Sequence, residues 1–294
     1  MSSWVAFSIF AAFMQSVRTA GQKQLTSSLT PMSVTLVRYL FGLPFVIVYL
    51  LILFGKQSVH EVVVAASNPR FVSYAVLAGI AQIVATVLLV KVFSFRNFAV
   101  GTSFAKTEAL QAAMFGLVLF GTALSAWGWL AVLIGFIGIL IVSVPKSSEP
   151  WELKNVALGT LSGTAFSFTA IWLREASLSL HTDTLRSAAM TLFFMVSIQA
   201  LMCFVYSVAK EVGQLVLIRA RTSLSIFVGL TSALGSIGWF SAMTLENPAL
   251  VKSVGQVEFI FTLVITTLFF KEKISIREYV GMTFIVISVI ILLF

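Results

Sequence analysis

Ten apolar runs follow one another along this 294-residue chain, at 3–20, 32–54, 71–91, 98–120, 125–144, 155–174, 184–207, 224–243, 249–270 and 276–293. A helix needs about 20 mostly apolar residues to cross the hydrocarbon core of a bilayer, whereas a transmembrane strand shows about ten residues of alternating character. These runs are continuous and do not alternate. The chain therefore reads as an all-α polytopic membrane protein of ten transmembrane helices. Composition agrees: 59% of residues are hydrophobic, 10% are charged, and mean hydropathy is +1.03. A soluble domain carries about 25% charged residues. Twenty-seven Phe and six Trp against eleven acidic residues cannot be hidden in one water-soluble globule. That excludes an ordinary cytosolic enzyme, a disordered chain and a disulfide scaffold. The single cysteine, Cys203, lies inside an apolar run and forms no intramolecular disulfide.

Punctuation falls between the runs, at Thr30-Pro31, Asn68-Pro69, Val144-Pro145, Glu149-Pro150 and Asn247-Pro248. The start, Met1-Ser2-Ser3-Trp4, lacks the basic region and cleavage site of a removed signal peptide, so the first run reads as a retained helix. Connectors 55–70 and 208–223 are long enough for short helices lying on the membrane surface. In the second, Val208, Val212, Leu215 and Val216 oppose Lys210, Glu211 and Arg219 at helical spacing. A solvated loop would serve there as well.

The formal charge of +8 would suggest nucleic acid if the basic residues formed a patch. They are instead scattered singly at the ends of apolar runs, so no nucleic-acid partner is expected. Lys56, Arg70 and Arg174 fall on one side of the expected membrane. Lys23, Lys91, Arg96, Lys146, Lys154, Lys210, Arg219, Arg221, Lys271, Lys273 and Arg277 fall on the other. The positive-inside rule makes the second side cytoplasmic and sends both termini outside the cytoplasm. Short connectors and bare termini, with no organelle address, suggest a bacterial inner membrane.

A shift of 150 residues lays the fourth run over the ninth: Asn97 meets Asn247, Ala99 meets Ala249, Glu108 meets Glu258, and Ser125 meets Ser275. A shift of 148 sets Arg38 over Arg186. Duplication gives two five-helix repeats, residues 1–145 and 146–294. An odd number of spans makes the second repeat enter from the opposite face, which yields a 5+5 inverted-topology repeat. Inverted repeats with a site near the midplane recur among transporters.

Leu29-Thr30-Pro31 leading into Thr35-Leu36-Val37-Arg38-Tyr39-Leu40 resembles the second-helix signature of the drug/metabolite transporter superfamily, EamA type. Gly255-Gln256-Val257-Glu258 through Phe270-Lys271-Glu272-Lys273 to Glu278-Tyr279-Val280-Gly281 is similar to the closing motif of that family. Gly229, Gly235, Gly238 and Trp239 also fit. The first half departs from the pattern, since Gly121-Thr122-Ala123-Leu124 lacks the acidic and basic residues of Lys271-Glu272-Lys273. The resemblance implies a ten-helix carrier of small organic metabolites, often an exporter of amino acids.

Charges at the bilayer centre cost at least about 2.5–3.5 kcal/mol each on insertion scales, so they mark candidate sites. Glu108 shares a helical face with Gly101, Ala105 and Ala112, and Glu258 with Val251, Gly255 and Thr262. Each glutamate is a candidate for proton coupling or for binding a substrate ammonium. Pairing with a basic residue of a neighbouring helix is the plain structural alternative. Lys106 follows Thr102 by one turn and Lys252 precedes Gln256 by one turn, which would offer a cation, an amide and a hydroxyl to a carboxylate or phosphate. Gln15, Gln82 and Trp239 complete the candidate substrate-binding or coupling set, with Arg18 and Gln111 as further polar groups at membrane depth. Arg38 and Arg186 are expected to be structural anchors.

No Ser–His pair, His-x-x-x-His ligand pair or phosphate-cradling loop lies in any span, so neither an enzyme nor an ATP-driven pump is expected, and no metal or cofactor. The expected function is secondary transport of a small organic metabolite, an amino acid or related carboxylate, by alternating access and in the export direction. Partners are the substrate, the lipid bilayer and, if transport is driven, protons. An uncoupled facilitator or channel for small solutes is the alternative, and monomer and homodimer are both compatible with the sequence.

Overall fold

The computed structural model describes residues 2–93, 95, 102, 104–143, 153–270 and 275–293. Asn97, Ala99, Gly101, the boundary at 145–146, and Lys271, Glu272 and Lys273 lie outside the described residues. Within them the chain is helical, without strands. The helices are α1 (Ser3–Leu25), α2 (Pro31–Leu40), α3 (Leu43–Phe54), α4 (Ser58–Ala66), α5 (Pro69–Phe93), α6 (Glu108–Phe120) and α7 (Ala126–Ser143). They continue with α8 (Leu153–Leu178), α9 (Thr184–Lys210), α10 (Val212–Ala220), α11 (Thr222–Leu245), α12 (Pro248–Gly255), α13 (Glu258–Phe270) and α14 (Ile276–Leu293).

Three expected Pro breaks are helix starts. Thr30 accepts from the Ser33 amide at 3.2 Å ahead of Pro31, Asn68 accepts from the Arg70 and Phe71 amides, and Asn247 accepts from the Ala249 amide at 2.9 Å. A side-chain oxygen satisfies an otherwise orphan N–H, and proline tolerates the first helical turn because its missing N–H would have no intrahelical acceptor there.

Among the described residues six helical stretches are long and apolar enough to cross a membrane: Pro31–Ala66, Pro69–Phe93, Leu153–Leu178, Thr184–Lys210, Thr222–Leu245 and Ile276–Leu293. Helix α1 has comparable length but carries Gln15, Arg18, Gln22, Lys23 and Gln24. Helices α6 and α7 are apolar and shorter. Exposed apolar side chains such as Ile52, Val118 and Trp127, each more than 60% exposed, would be a liability in water and face lipid in a multi-pass membrane protein. The two long connectors hold α4 and α10. Val212 and Val216 on α10 are exposed, while Ile218 is buried.

Two expected spans are interrupted at positions 150 residues apart. In one, helical residues 104–105 lead into a turn at 106–107 and then α6. In the other, α12 ends at Gly255, a turn covers 256–257, and α13 begins at Glu258. The Thr107 amide donates to Phe104 O (3.2 Å), the Gln256 amide to Ser253 O (3.2 Å) and the Val257 amide to Val254 O (3.1 Å). These i→i+3 bonds tighten the chain to about three residues per turn and rotate every side chain beyond them.

The most extensive helix pairings are α5 with α8, α7 with α14, and α1 with α11, and each joins a helix from the first half of the chain to one from the second. Helix α1 also lies along α12 and α13, and α8 along α6, so each interrupted segment is flanked by a helix of the opposite half. Glu211, between α9 and α10, ties the halves at one end: its Oε2 accepts from Thr30 Oγ1 at 2.7 Å and Ser33 Oγ at 2.9 Å.

Candidate functional site

Each interruption places a glutamate at the first residue of a new helix, Glu108 on α6 and Glu258 on α13. The first N–H groups of a helix lack intrahelical acceptors and form its positive end, a favourable environment for a carboxylate. Both glutamates are buried, 7% and 6% exposed. Lys106 Nζ donates to Glu258 Oε2, and Lys252 Nζ stands 3.1 Å from Glu108 Oε2. The second contact is an ion pair at the margin of hydrogen-bond geometry. The lysine beside each break thus pairs with the glutamate of the other, and the two pairs cross.

Helix α1 reaches into this crossing. Gln15 Nε2 donates to Glu258 Oε2 at 2.6 Å, and Gln15 Oε1 accepts from Trp239 Nε1 at 2.9 Å. Lys252 lies 4.6 Å from the Trp239 ring centroid and 5.6 Å from that of Phe166. Rings at that range attract a cation through their negative faces. Helix α8 braces the first break: Ser167 Oγ donates to Glu108 O at 2.8 Å, and a Cβ on Gly163 would fall 2.8 Å from Ala105 O. At the second break the Trp239 ring occupies the space a side chain on Gly255 would need. Small residues here admit close approach, as in membrane helix packing generally.

A cavity of about 50 Å³ lies against both ion pairs and Gln15, with Thr102 and Phe166 in its wall. A second, of about 30 Å³, is bounded by Arg18, Arg38, Gln82 and Trp239, and shares Gln15, Phe166 and Lys252 with the first. Arg38 Nη1 donates to Thr86 Oγ1 at 2.8 Å, and its guanidinium carbon is 5.1 Å from the Tyr39 ring. Gln82 Oε1 accepts from Gln199 Nε2 at 2.8 Å. Arg18 is 3% exposed, and its Nε has no hydrogen-bond acceptor.

The structure brings together Gln15, Gln82, Lys106, Glu108, Trp239, Lys252 and Glu258. Gln256 is elsewhere. Its carboxamide oxygen presses on the position a Cβ at Gly135 of α7 would take, and it lines neither cavity. The tightened turn explains this, because Lys252 lies before it and Gln256 within it, so the one-turn stripe of a regular helix is lost. Arg38 and Arg186 differ sharply. Arg38 is buried and lines the second cavity, while Arg186 is exposed in the first turn of α9, 5.6 Å from the Phe54 ring. Gln111 bridges Thr107 Oγ1 and Thr164 Oγ1, at 2.6 Å each. Phe166, Thr86 and Gln199 were not singled out from sequence, since none carries charge and nothing in their spacing marks them. Arg18 was visible as a charge at depth, and Gln15–Arg18, three apart, share a face of α1.

Interrupted helices that carry paired charges at membrane depth recur among membrane transporters. The sequence profile of the EamA-like transporter family, part of the drug/metabolite transporter superfamily, matches residues 2–144 of this chain. Members of this family are transporters and not enzymes. No curated protein matches the sequence. Among solved structures, one crystal structure aligns over 99% of this chain and 96% of its own, with a TM-score of 0.72 and 13% identity. At that identity the likeness is one of fold.

Proposed function

We propose that the chain is a ten-span, 5+5 inverted-repeat secondary carrier, exporting an amino acid or related carboxylate from a bacterial cytoplasm, with both termini outside. The two repeats, 1–145 and 146–294, alternate access to a site between them, and protons drive the cycle through Glu258 and Glu108. The crossing of the two ion pairs carries this reading. Each pair links one repeat to the other, so each is a latch across the surface along which the repeats would move. A proton on Glu258 removes the negative charge that holds Lys106 and leaves the Lys106 ammonium free to turn toward a substrate carboxylate. Loss of the proton on the opposite side resets the latch. The Gln15–Trp239 contact couples the same event to α1 and α11.

Glu258→Gln should abolish proton-driven uptake into vesicles while leaving counterflow exchange of the same substrate intact. Driven transport unchanged from the parent protein would overturn coupling through Glu258.

A further inference from the structure

Arg18 and Arg38 bound the second cavity together, and both are at least 95% buried. Lysines and glutamates in the adjoining cavity cancel in pairs: Lys106 with Glu258, and Lys252 with Glu108. Among the described residues neither guanidinium forms an ion pair, and Glu258 and Glu108, which act on Arg18 from beyond that range, are already paired with the lysines. Arg38 uses one donor, to Thr86. The Nε of Arg18 is sealed from solvent with no acceptor at all. An arginine offers five N–H donors and stays charged at any physiological pH. Two buried cations therefore stand over one compartment with most of their hydrogen-bonding capacity unused. Leaving ionic groups in that condition is costly in a membrane interior.

From this we infer that Arg18 and Arg38 form the subsite for a doubly anionic head, a dicarboxylate or a phosphate monoester. The inference rests on the transporter reading and narrows its carboxylate class to dianions. Two planar guanidinium forks fit carboxylate or phosphate oxygens in bidentate fashion. The surplus of two positive charges matches a dianion and leaves a zwitterion uncompensated. Gln82, anchored by Gln199, supplies a neutral polar wall, and Trp239 and Phe166 supply apolar faces for the carbon skeleton. At about 30 Å³ the compartment holds little more than water in this conformation, so binding requires the repeats to part. The subsite shares Gln15, which holds Glu258, with the first cavity. Occupancy and the state of that latch are thereby connected.

The test is binding to the full-length detergent-purified protein, read as thermal stabilisation by succinate, glycerol 3-phosphate or alanine. A ligand that binds only the folded state raises the melting temperature. Succinate, glycerol 3-phosphate or both should stabilise the protein at concentrations where alanine does not, and which of them acts distinguishes the two chemistries. Arg18→Gln and Arg38→Gln should each weaken that binding at least about tenfold, the loss of charge-assisted hydrogen bonds. Arg18→Lys, which keeps the charge and loses the fork, should recover only part of it. The melting transition of each unliganded variant establishes that it folds. Stabilisation by alanine equal to that by the dianions, no response to either dianion, or undiminished binding by the folded arginine variants would overturn the inference. Because binding is read without a proton gradient, it is independent of whether Glu258→Gln uncouples transport.

Discussion

At the break before α13, Glu258 accepts from two donors of the first half, Lys106 and Gln15. At the break before α6, Glu108 is ion-paired among the described residues with Lys252 alone, at 3.1 Å. The lysines are unequal in the opposite sense. Lys106 has a side chain 16% exposed to the cavity, whereas Lys252 is 9% exposed and lies against Trp239 and Phe166. One ion pair, Lys106–Glu258, therefore fixes its carboxylate, and the other, Lys252–Glu108, fixes its cation. A structure with two identical latches would have no preferred order of release. Here the tightly held carboxylate is the one whose protonation frees most donors, and Lys252 keeps its aromatic contacts whether or not Glu108 is charged.

Removing the carboxylates should expose this asymmetry most strongly. Breaking a buried ion pair by deleting one partner costs about 3–5 kcal/mol, chiefly because an uncompensated charge remains. Glu258→Ala should reach the upper part of that range, since it strands Gln15 Nε2 along with the Lys106 ammonium. Glu108→Ala should stay near about 3 kcal/mol, because Lys252 retains its aromatic ring contacts. Denaturation of the purified variants measures both. Combining Glu258→Gln with Lys106→Met should recover much of the lost stability, as expected when a stranded charge dominates the cost. Equal costs for the two alanine variants would break the comparison.

Next in size come the glycines beside the two breaks. Overpacking a well-filled contact costs about 1–3 kcal/mol. A methyl at Gly163 meets the Ala105 carbonyl, which is backbone and cannot move without shifting the break itself. A methyl at Gly255 meets the Trp239 ring, which can tilt away. Gly163→Ala should therefore lower the melting temperature more. Gly255→Ala should act mainly on transport, by pushing Trp239 off Gln15 and Lys252. A larger stability loss at Gly255 would mean that Trp239 is fixed as rigidly as the backbone.

Much of this was legible in the chain. The 150-residue shift that aligns Glu108 with Glu258 also relates the two interruptions, at 106–107 and 256–257. Continuous apolar runs gave α5, α8, α9, α11 and α14 nearly whole, because lipid demands unbroken hydrophobicity. The interruptions themselves left little mark. No proline stands at 106–107 or 256–257, and a regular helix was the natural reading of both segments. That assumption put Gln256 on the Lys252 stripe and missed its turn toward Gly135. Nor could spacing show which lysine meets which glutamate. The crossing depends on how α1 and α8 set the broken helices side by side, which is long-range packing. Arg38 and Arg186 teach the converse, because equivalent sequence positions acquired one buried and one exposed environment.

The smallest expected effect concerns the single hydrogen bond that links the tightly held carboxylate to the aromatic support of Lys252. Trp239 Nε1 donates to Gln15 Oε1, and Gln15 Nε2 donates to Glu258, so the glutamine amide is fixed in one orientation by donor at one end and acceptor at the other. Trp239→Phe keeps a ring beside Lys252 while deleting the indole N–H, a loss of about 1 kcal/mol for the hydrogen bond, with a further packing cost from the smaller ring. Trp239→Leu removes the ring as well and should add up to about 2 kcal/mol if the cation–π contact is desolvated. Measured side by side, the two substitutions separate the fixing of the carboxylate from the fixing of the cation. If Phe and Leu are equally damaging, the hydrogen bond through Gln15 carries the whole contribution and the aromatic support of Lys252 carries none. If Phe behaves as the parent residue and Leu does not, Trp239 serves the Lys252–Glu108 pair alone. The two latches would then be supported by separate sets of residues and not by one shared ring.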